Sequence, residues 1–277
     1  MKITLIGAGW LGLPLAKALG ENGHQILATK RSEKGVLSLQ QQHIQAQQFE
    51  LGQDLSSEAV QALLNTDMLI INIPPGRKTL QPDVFLSQMK ALISQAKTSG
   101  TKSLLFISTT AVYGEASRVV YEYSEPNPTT DSAKVHVEIE QWIRHTFGPQ
   151  ASILRLAGLV SEDRHPARFL AGKKDIEQGQ QVVNLVHRGD VIQAIKYIIK
   201  GQHFGQTFHL SARDHPSREA YYCWAAQSLG LATPSFCATT SSELGKQINC
   251  QLTLDTLGMT MTYPSPYDML SNQNPKQ

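Results

Sequence analysis

The chain has 277 residues, of which 41% are hydrophobic and 17% are charged, and its formal net charge is +2. This composition supports a buried core, and the small net charge argues against the strong basic patch that nucleic-acid-binding proteins carry. The three cysteines fit a reducing cytoplasm, and no metal-binding spacing such as CxxC or HExxH is present. The N-terminal apolar run is too short for a signal peptide, and no stretch reaches the ~20 apolar residues of a membrane span. We therefore expect a cytoplasmic protein that binds neither nucleic acid, membrane nor metal.

The first half of the chain alternates short apolar runs with longer helical patterns. The predicted strands are 2–6, 24–29, 46–51, 67–73, 103–108 and 151–156. Helical patterns separate them and begin near Leu11, Ser32, Ser56, Leu80 and Asp131. Strands that alternate with helices form parallel sheets, and continuous apolar strands are typical of sheets covered on both faces. The pattern predicts an α/β fold with a doubly wound parallel sheet, whose ligands bind at the carboxyl ends of the strands.

A glycine-rich turn follows the first predicted strand directly. Gly7, Gly9 and Gly12 have GxGxxG spacing between a strand and a helix. In this position the first glycine permits a tight turn, the second lets the backbone approach a pyrophosphate, and the third allows the helix to pack closely on the strand. Trp10 and Leu11 then open the helix, whose N-terminus faces the anion, and both are predicted to bind the cofactor. We predict a dinucleotide site here, and the alternative is a purely structural glycine turn.

The residues after the second predicted strand indicate which dinucleotide binds. NAD sites usually have an acidic residue about 20 residues after the glycines, whereas NADP sites have an arginine nearby. This chain has Thr29, Lys30, Arg31 and Ser32 at that point, with no acidic residue at the strand end. The side chains of Thr29, Arg31 and Ser32 are predicted to bind a 2′-phosphate, so NADP(H) is the favoured cofactor. NAD(H) stays open as the cofactor. It also stays open that Lys30 and Arg31 are only a solvated pair of basic residues. After the fourth strand, Pro74 is predicted either to line the cofactor cleft or to end the strand.

The stretch STTAVYG, residues 108–114, resembles the extended short-chain dehydrogenase/reductases, the NAD-dependent epimerase/dehydratase family. Further stretches that resemble this family are 125–130, 153–160, 184–191 and 208–212. The resemblance implies a Rossmann-like fold with a smaller, discontinuous C-terminal substrate domain. The implied bounds are 1–157 plus about 184–203 for the dinucleotide-binding domain, and about 158–183 plus 204–277 for the substrate domain.

The catalytic residues of this family map only in part onto the chain. The resemblance places the catalytic hydroxyl at Thr109 and the lysine of the family's Tyr-x-x-x-Lys pair at Lys134, where it would hold the nicotinamide ribose or assist a proton transfer. In such a pair the ammonium lowers the phenol's pKa from about 10, which suits it to acid–base catalysis. The tyrosine position holds Thr130, whose hydroxyl has no useful pKa near neutrality. The chain is therefore similar to the atypical subgroup, which keeps the nucleotide fold and alters the catalytic residues.

Three accounts of the missing tyrosine stay open. In the first, another phenol replaces it, either Tyr113 at the strand exit or Tyr121 or Tyr123 on the following loop. In the second, hydride is transferred while water, Thr109 or a substrate group handles the proton. In the third, the protein binds NADP(H) without turning it over, as a sensor or regulator.

A basic loop in the second half of the chain carries Arg164, His165 and Arg168. Guanidinium groups suit phosphate recognition, so we predict that these residues bind the substrate; a solvated basic loop is the alternative. The predicted function is an NADP(H)-binding oxidoreductase or epimerase-like enzyme that acts on a small polyol, sugar or nucleotide sugar. The alternative is a redox-inactive NADP(H)-binding sensor or regulatory protein. The sequence leaves a homodimer open.

Overall fold

The computed structural model describes residues 1–76, 80–238 and 243–273, and its contacts divide the chain into two compact units. Unit 1 comprises Met1–Val112, Pro128–Arg155 and Ile198–Phe208, and unit 2 comprises Tyr113–Asn127, Leu156–Tyr197 and His209–Gln277. Both units are discontinuous in sequence, and this division assigns 113–127 and 184–197 to unit 2. The bounds predicted for a cofactor domain and a substrate domain concern function, and they stay a prediction.

The strands of the described residues build one large sheet and two small ones. They are β1 (Lys2–Ile6), β2 (Gln25–Lys30), β3 (Gln45–Gln48), β4 (Met68–Ile71), β5 (Ser103–Thr109), β6 (Val119–Val120), β7 (Ala151–Leu156), β8 (Gly158–Val160), β9 (Leu185–His187), β10 (Thr207–Leu210) and β11 (Gln247–Ile248). The large sheet has seven strands in the order β10-β7-β5-β4-β1-β2-β3. Strand β1 pairs in parallel with β2 on one side and with β4 on the other. The strand numbers rise outward from β1 in both directions, so β1 marks the point where the chain crosses from one half of the sheet to the other. The predicted α/β class and doubly wound parallel sheet are confirmed.

The helices begin where the sequence supplies suitable first residues. They are α1 (Gly12–Glu21), α2 (Glu33–Gln40), α3 (Glu58–Leu64), α4 (Pro82–Thr98), α5 (Asp131–Phe147), α6 (Ala167–Leu170), α7 (Arg188–Lys200), α8 (Arg218–Ser228) and α9 (Gln251–Leu257). Pro82 lies at the start of α4, where a missing backbone N–H leaves no hydrogen bond unmade. Ser217 caps α8 by accepting a hydrogen bond from the N–H of Ala220.

The core of unit 1 lies between its sheet strands and the helices that cover them. All four residues of β4 are buried, as expected for a central parallel strand covered on both faces. One buried cluster joins side chains of β4 and β5 to side chains of α3, α4 and α5, and it includes Leu63, Leu69, Ile71, Leu92, Phe106 and Ile139. Helix α5 is thereby anchored along its apolar face.

Unit 2 contains short elements and a separate aromatic core. Strand β8 pairs in parallel with β9, and β6 pairs in parallel with β11. Its core surrounds Tyr221, which is fully buried, with Tyr222 and Trp224 packed against the cluster. After residue 182 the chain forms β9, α7, β10 and α8 in this order.

Across the described residues, no helix is long and apolar enough to cross a membrane. The same part of the chain has no group of three or more His, Cys, Asp or Glu side chains arranged to hold a metal ion.

Candidate functional site

The glycine turn between β1 and α1 depends on two close backbone contacts. Gly7 adopts a φ of +100°, in a region that residues with a side chain rarely adopt. A Cβ atom on Gly7 would lie 2.2 Å from the carbonyl oxygen of Asn72, and one on Gly12 would lie 2.3 Å from the carbonyl oxygen of Gly7. Glycine is therefore required at both positions, which agrees with the roles predicted for the first and third glycines.

Gly9 differs from the other two glycines because the space beside it is open. A Cβ atom there would meet nothing within 4 Å, and the residue is exposed. Trp10 and Leu11 follow, and the first residues of α1, Gly-Leu-Pro-Leu, are uncharged. A pyrophosphate needs open backbone beside a helix N-terminus whose partial positive charge is not neutralised. The residues present therefore fit the phosphates of a dinucleotide.

Two side chains from neighbouring strands hold the glycine turn in place. The hydroxyl of Thr29 in β2 accepts a hydrogen bond from the Gly7 N–H at 3.1 Å. Asn72, which follows β4, donates its side-chain amide to the Gly7 carbonyl at 3.0 Å. Asn72 is a site residue that the sequence reasoning missed; its signal is a polar side chain directly after a fully buried strand. Thr29 has a structural task here, and its predicted role towards the cofactor stays a prediction.

The carboxyl end of β2 presents a guanidinium group to solvent. Arg31 is exposed, and its side chain has no hydrogen bond or ion pair among the described residues. Ser32 caps α2 by accepting a hydrogen bond from the N–H of Gly35 at 3.3 Å. The first acidic residue after β2 is Glu33, which lies in the first turn of α2. Arg31 is thus a cation able to bind a phosphate at the position where NADP-binding folds use one.

Pro74 lies three residues beyond β4 and is exposed. The preceding residue, Ile73, packs against the core of unit 1 and anchors the start of this segment. The exposed ring is compatible with lining a cleft, and this role stays a prediction.

Thr109 and Lys134 both belong to unit 1. Thr109 ends β5 and is half-buried, and its hydroxyl accepts a hydrogen bond from the N–H of Ala111 at 3.1 Å, which leaves its proton to donate. Lys134 lies in the first turn of α5, with its ammonium 3.4 Å from the carboxylate of Asp131. Both side chains of this ion pair are more than half exposed, and such pairs contribute little stability. Lys134 can therefore exchange Asp131 for a ligand hydroxyl at small cost.

Thr130 occupies the position of the family's tyrosine and acts as the N-cap of α5. Its hydroxyl accepts a hydrogen bond from the N–H of Ala133 at 3.3 Å, which satisfies the start of the helix. The sequence ranges of unit 1, including 77–79, contain no tyrosine at all. Every phenol in the chain therefore belongs to unit 2.

A buried ion pair fixes α5 against the sheet. Glu140 accepts hydrogen bonds from the Nη2 of Arg155 at 2.5 Å and from its Nε at 3.0 Å, and both side chains are nearly inaccessible. Ser108 donates its hydroxyl to Glu140 at 2.6 Å. His136 stacks nearby on Phe106, and burial lowers the pKa of His136 to about 4. The network joins α5, β7 and β5, and two of these elements carry the predicted catalytic side chains.

Tyr113 is buried in unit 2, with its hydroxyl 3.0 Å from the Nδ1 atom of His209. The Nε2 atom of His209 lies 2.6 Å from the carbonyl oxygen of Asn249. A carbonyl can only accept, so Nε2 carries a proton, and the carboxylate of Glu122 also lies 3.5 Å from Nε2. The Nδ1 atom and the phenol form the second hydrogen bond of the ring. The phenol of Tyr113 is thus engaged inside unit 2. Tyr121 and Tyr123 are exposed instead, and their parallel rings stack with centroids 5.3 Å apart.

The predicted substrate residues of unit 2 divide between its core and its surface. His165 is 3% exposed; its Nδ1 accepts a hydrogen bond from the N–H of Ala167, and its Nε2 lies 2.8 Å from the hydroxyl of Tyr221. Burial, assisted by the charge of Arg168, lowers the pKa of His165 to about 4, so the ring is neutral. Arg164 and Arg168 are exposed. Both ring nitrogens of His165 are used internally, and a substrate role for the three residues stays a prediction.

The parallel sheet, the glycine turn and the open backbone at Gly9 define an NAD(P)-binding protein of the Rossmann-like class. A family model described as NAD(P)H-binding matches residues 7–201. The chain belongs to this NAD(P)H-binding family. It is 35% identical to Protein YeeZ of Escherichia coli strain K12 over 270 residues, which cover 97% of this chain and 98% of that protein.

Solved structures with the same fold include two epimerases. UDP-glucuronic acid 4-epimerase from Bacillus cereus, in complex with NAD, has a TM-score of 0.79 at 19% identity and covers 98% of this chain and 94% of its own. UDP-N-acetylglucosamine 4-epimerase from the same organism has a TM-score of 0.78 at 13% identity and covers 98% and 100%. At these identities the likeness concerns the fold. The predicted resemblance to the NAD-dependent epimerase/dehydratase group is confirmed at that level, and the chain is an NAD(P)-binding protein with an epimerase-like fold.

Proposed function

We propose that the protein is an NADP(H)-dependent oxidoreductase or epimerase-like enzyme that acts on a small polyol, sugar or nucleotide sugar. The observation that carries this proposal is the combination of two features. The backbone at Gly9, which we call the phosphate cradle, is open, and the guanidinium of Arg31, directly after β2, has no partner within the described ranges. The two epimerases that share the fold carry UDP-sugar names, which supports a sugar-type substrate. We also propose a cytoplasmic protein with a small-molecule partner, and we leave a homodimer open.

The preference for NADP(H) over NAD(H) rests on charge at the end of β2. Arg31 faces solvent there, while Glu33 lies within the first turn of α2, where its charge is favourable to the helix. A 2′-phosphate gains charge-assisted hydrogen bonds from a guanidinium, whereas an unmodified ribose gains more from a carboxylate. The hydroxyl of Ser32 is available to donate to the same phosphate.

Lys134 and Thr109 are proposed as the groups closest to the chemistry. Bound NADP(H) would supply or accept a hydride. The ammonium of Lys134 would donate to the hydroxyls of the nicotinamide ribose, and the hydroxyl of Thr109 would donate to an oxygen of the substrate. The proton of the reaction would pass through Thr109, a water molecule or a substrate group, because Thr130 is engaged as a helix cap.

A redox-inactive NADP(H)-binding sensor is the second candidate function. Two observations favour it: unit 1 has no tyrosine in its sequence, and the phenol of Tyr113 is engaged with His209. Thr130, at the tyrosine position of the family's Tyr-x-x-x-Lys pair, cannot serve as the usual proton donor of this chemistry. The two candidates share the cofactor site and differ only in turnover.

A turnover assay separates the two candidates. The purified chain is incubated with NADP⁺ and a panel of polyols, sugars and UDP-sugars, and both NADPH formation and substrate epimerisation are measured. An enzyme with the proposed roles loses most of its activity in Lys134→Met and in Thr109→Val and keeps it in Lys34→Met, which removes an exposed lysine of α2. Saturable NADPH binding without turnover of any panel member would favour the sensor.

A further inference from the structure

Unit 1 carries a polar cleft beside the last two turns of α1, which we call the α1 cleft. Its volume is about 580 Å³, within the roughly 300–1,000 Å³ of small-molecule sites. It is lined by residues 16, 17, 20 and 21 of α1 and by the stretches 24–26 and 42–45, which lead into β2 and β3. Thr29, at the other end of β2, bonds the glycine turn. The α1 cleft and the predicted cofactor site therefore lie at opposite ends of the same strand.

Gly20 leaves the α1 cleft open above an apolar floor. The floor consists of the buried side chains of Ala16, Ile26 and Ile44. A Cβ atom on Gly20 would meet nothing within 4 Å, and the backbone of this residue is that of the helix. Glycine is less favourable than alanine inside a helix, and neither a close contact nor a positive φ requires it at this position. The missing side chain therefore leaves room for a ligand.

Two opposite charges belong to the lining of the α1 cleft. Lys17 and Glu21 are exposed, lie one helical turn apart, and make no side-chain hydrogen bond or ion pair within 1–76, 80–238 and 243–273. The described lining contains no other aspartate, glutamate, lysine or arginine. Glu21 also ends α1, where the partial negative charge of a helix favours a cation. A ligand with one charge thus meets one attracting and one repelling group, whereas a zwitterion is attracted by both.

An imidazole and side-chain amides supply further hydrogen-bonding groups. Burial, together with the positive charge of the amino terminus, lowers the pKa of His24, so its ring is mainly neutral at pH 7. The Nδ1 atom of His24 is buried and has no hydrogen-bond partner in the described part of the chain. The side-chain amides of Gln25 and Gln45 likewise have no partner there. Amides and neutral imidazoles both donate and accept, so this lining matches a polar, uncharged side chain better than an apolar one.

We propose that the α1 cleft binds a free α-amino acid whose side chain is polar and uncharged. The α-carboxylate accepts hydrogen bonds from the ammonium of Lys17, and the α-ammonium donates to the carboxylate of Glu21. The side chain of the ligand bonds the polar groups of His24, Gln25 and Gln45. A partner for His24 recovers the free energy that an unsatisfied buried polar atom costs. The inference goes beyond the proposed function and does not depend on it, because the α1 cleft is separate from the cofactor site.

The test measures binding to the full chain by isothermal titration calorimetry. The ligands are L-glutamine, L-asparagine, L-serine and L-threonine, and wild type should bind at least one of them at a single site. For the tightest ligand, the analogues without the α-ammonium and without the α-carboxylate are then titrated; for L-glutamine these are glutaramate and 4-aminobutanamide. Each should bind about tenfold more weakly or less, because it lacks one charge-assisted contact.

Variants assign the binding to the α1 cleft. Gly20→Leu fills the open space and should abolish binding, whereas Gly20→Ala adds one methyl group and should bind as wild type does. Both replace a helical glycine and should unfold at the same or a higher urea concentration, so the loss of binding is not unfolding. Lys17→Gln and Glu21→Gln should each weaken binding about tenfold or more. Lys34→Gln, at an exposed lysine of α2, should bind as wild type does.

Four results would overturn the proposal. They are no binding of any of the four amino acids to wild type, equal binding by wild type and Gly20→Leu, unchanged binding in Lys17→Gln or in Glu21→Gln, and equal binding of an analogue that lacks one charge. AMP is titrated on the same samples as an alternative ligand. Binding of AMP that Gly20→Leu abolishes, without binding of an amino acid, would assign the α1 cleft to a nucleotide instead.

Discussion

The hydroxyl of Thr29 accepts a hydrogen bond from the backbone N–H of Gly7 at 3.1 Å, across 22 residues of sequence. The side chain of Thr29 is buried, and the contact ties the end of β2 to the glycine turn after β1. The geometry of the phosphate cradle therefore depends on a residue in the next strand.

Replacing Thr29 with valine should remove this acceptor and leave the Gly7 N–H unpaired. We expect the free energy of unfolding, measured with urea, to fall by about 1–3 kcal/mol, the cost of an unsatisfied buried donor. NADPH and NADH affinities should fall together, since the turn serves the pyrophosphate common to both. Thr29→Ser keeps the hydroxyl and should behave nearly as wild type. Loss of NADPH affinity alone in Thr29→Val would instead indicate a contact with the 2′-phosphate.

Arg31 should discriminate between the two dinucleotides. Arg31→Ala removes the exposed guanidinium at the end of β2, and we expect NADPH affinity to fall about tenfold or more, as for loss of a charged hydrogen bond. NADH affinity should not change, because NADH lacks the 2′-phosphate. Lys34→Ala removes an exposed charge from the adjacent helix and serves as the control in the same fluorescence titrations. A uniform loss for both nucleotides in Arg31→Ala would assign Arg31 to general electrostatic attraction.

Local sequence patterns predicted the sheet and the glycine turn well, because both depend on residues close together in the chain. Strand β1 has the predicted bounds, and Gly7 and Gly12 pack as their spacing requires. The task of Thr29 and the presence of Asn72 in the site were not predictable in this way. Thr29 hydrogen-bonds Gly7 from β2, and Asn72 does so from the position directly after β4. The hydrophobic pattern of a strand does not indicate which backbone group a polar side chain at its end will bind.

The buried pair of Glu140 and Arg155 should be strongly cooperative. Arg155→Met leaves the buried carboxylate of Glu140 with the partly exposed Arg144, 3.8 Å away, as its remaining cation. Glu140→Leu leaves a buried guanidinium, and each change should lower the free energy of unfolding by about 3–5 kcal/mol. The double variant removes both charges and should be less destabilised than the sum of the single changes. Urea denaturation of the four proteins gives the coupling energy. If the losses in free energy of unfolding of the two single variants add up to that of the double variant, the two charges have no coupling energy, which would contradict this prediction.

His165 should make stability depend on pH in the mildly acidic range. Burial lowers the pKa of His165 from 6.5 to about 4. Between pH 6.5 and pH 4 its ring is therefore protonated in the unfolded chain and neutral in the folded chain. The contribution of the neutral His165 to the free energy of unfolding is therefore fully present above about pH 6.5 and declines as the pH falls towards 4. The loss is at most about 3.5 kcal/mol, at ~1.4 kcal/mol per pH unit. His136 contributes in the same direction.

The measurement is the free energy of unfolding of wild type and His165→Gln at several pH values from 7.5 to 4.5, in experiments on the whole chain. The variant should be less stable at pH 7.5, because it disrupts the contacts with Tyr221 and Ala167, but its stability should fall less steeply towards acid. Parallel curves for the two proteins would mean that folding does not lower the pKa of His165.

Unit 2 was harder to predict because its contacts join distant parts of the chain. Tyr113 and His209 are separated by 96 residues, and nothing in the stretch around either one indicates the other. His165 was grouped with two arginines by adjacency, yet its ring turns into the core while theirs face solvent.

We propose that the open backbone at Gly9 and the guanidinium of Arg31 bind NADP(H). The decisive experiment is fluorescence titration of the purified wild-type chain with NADPH and with NADH. We expect saturable binding of both nucleotides, with the lower dissociation constant for NADPH. Tighter binding of NADH would contradict the role of Arg31, and no saturable binding of either nucleotide would contradict the dinucleotide site itself.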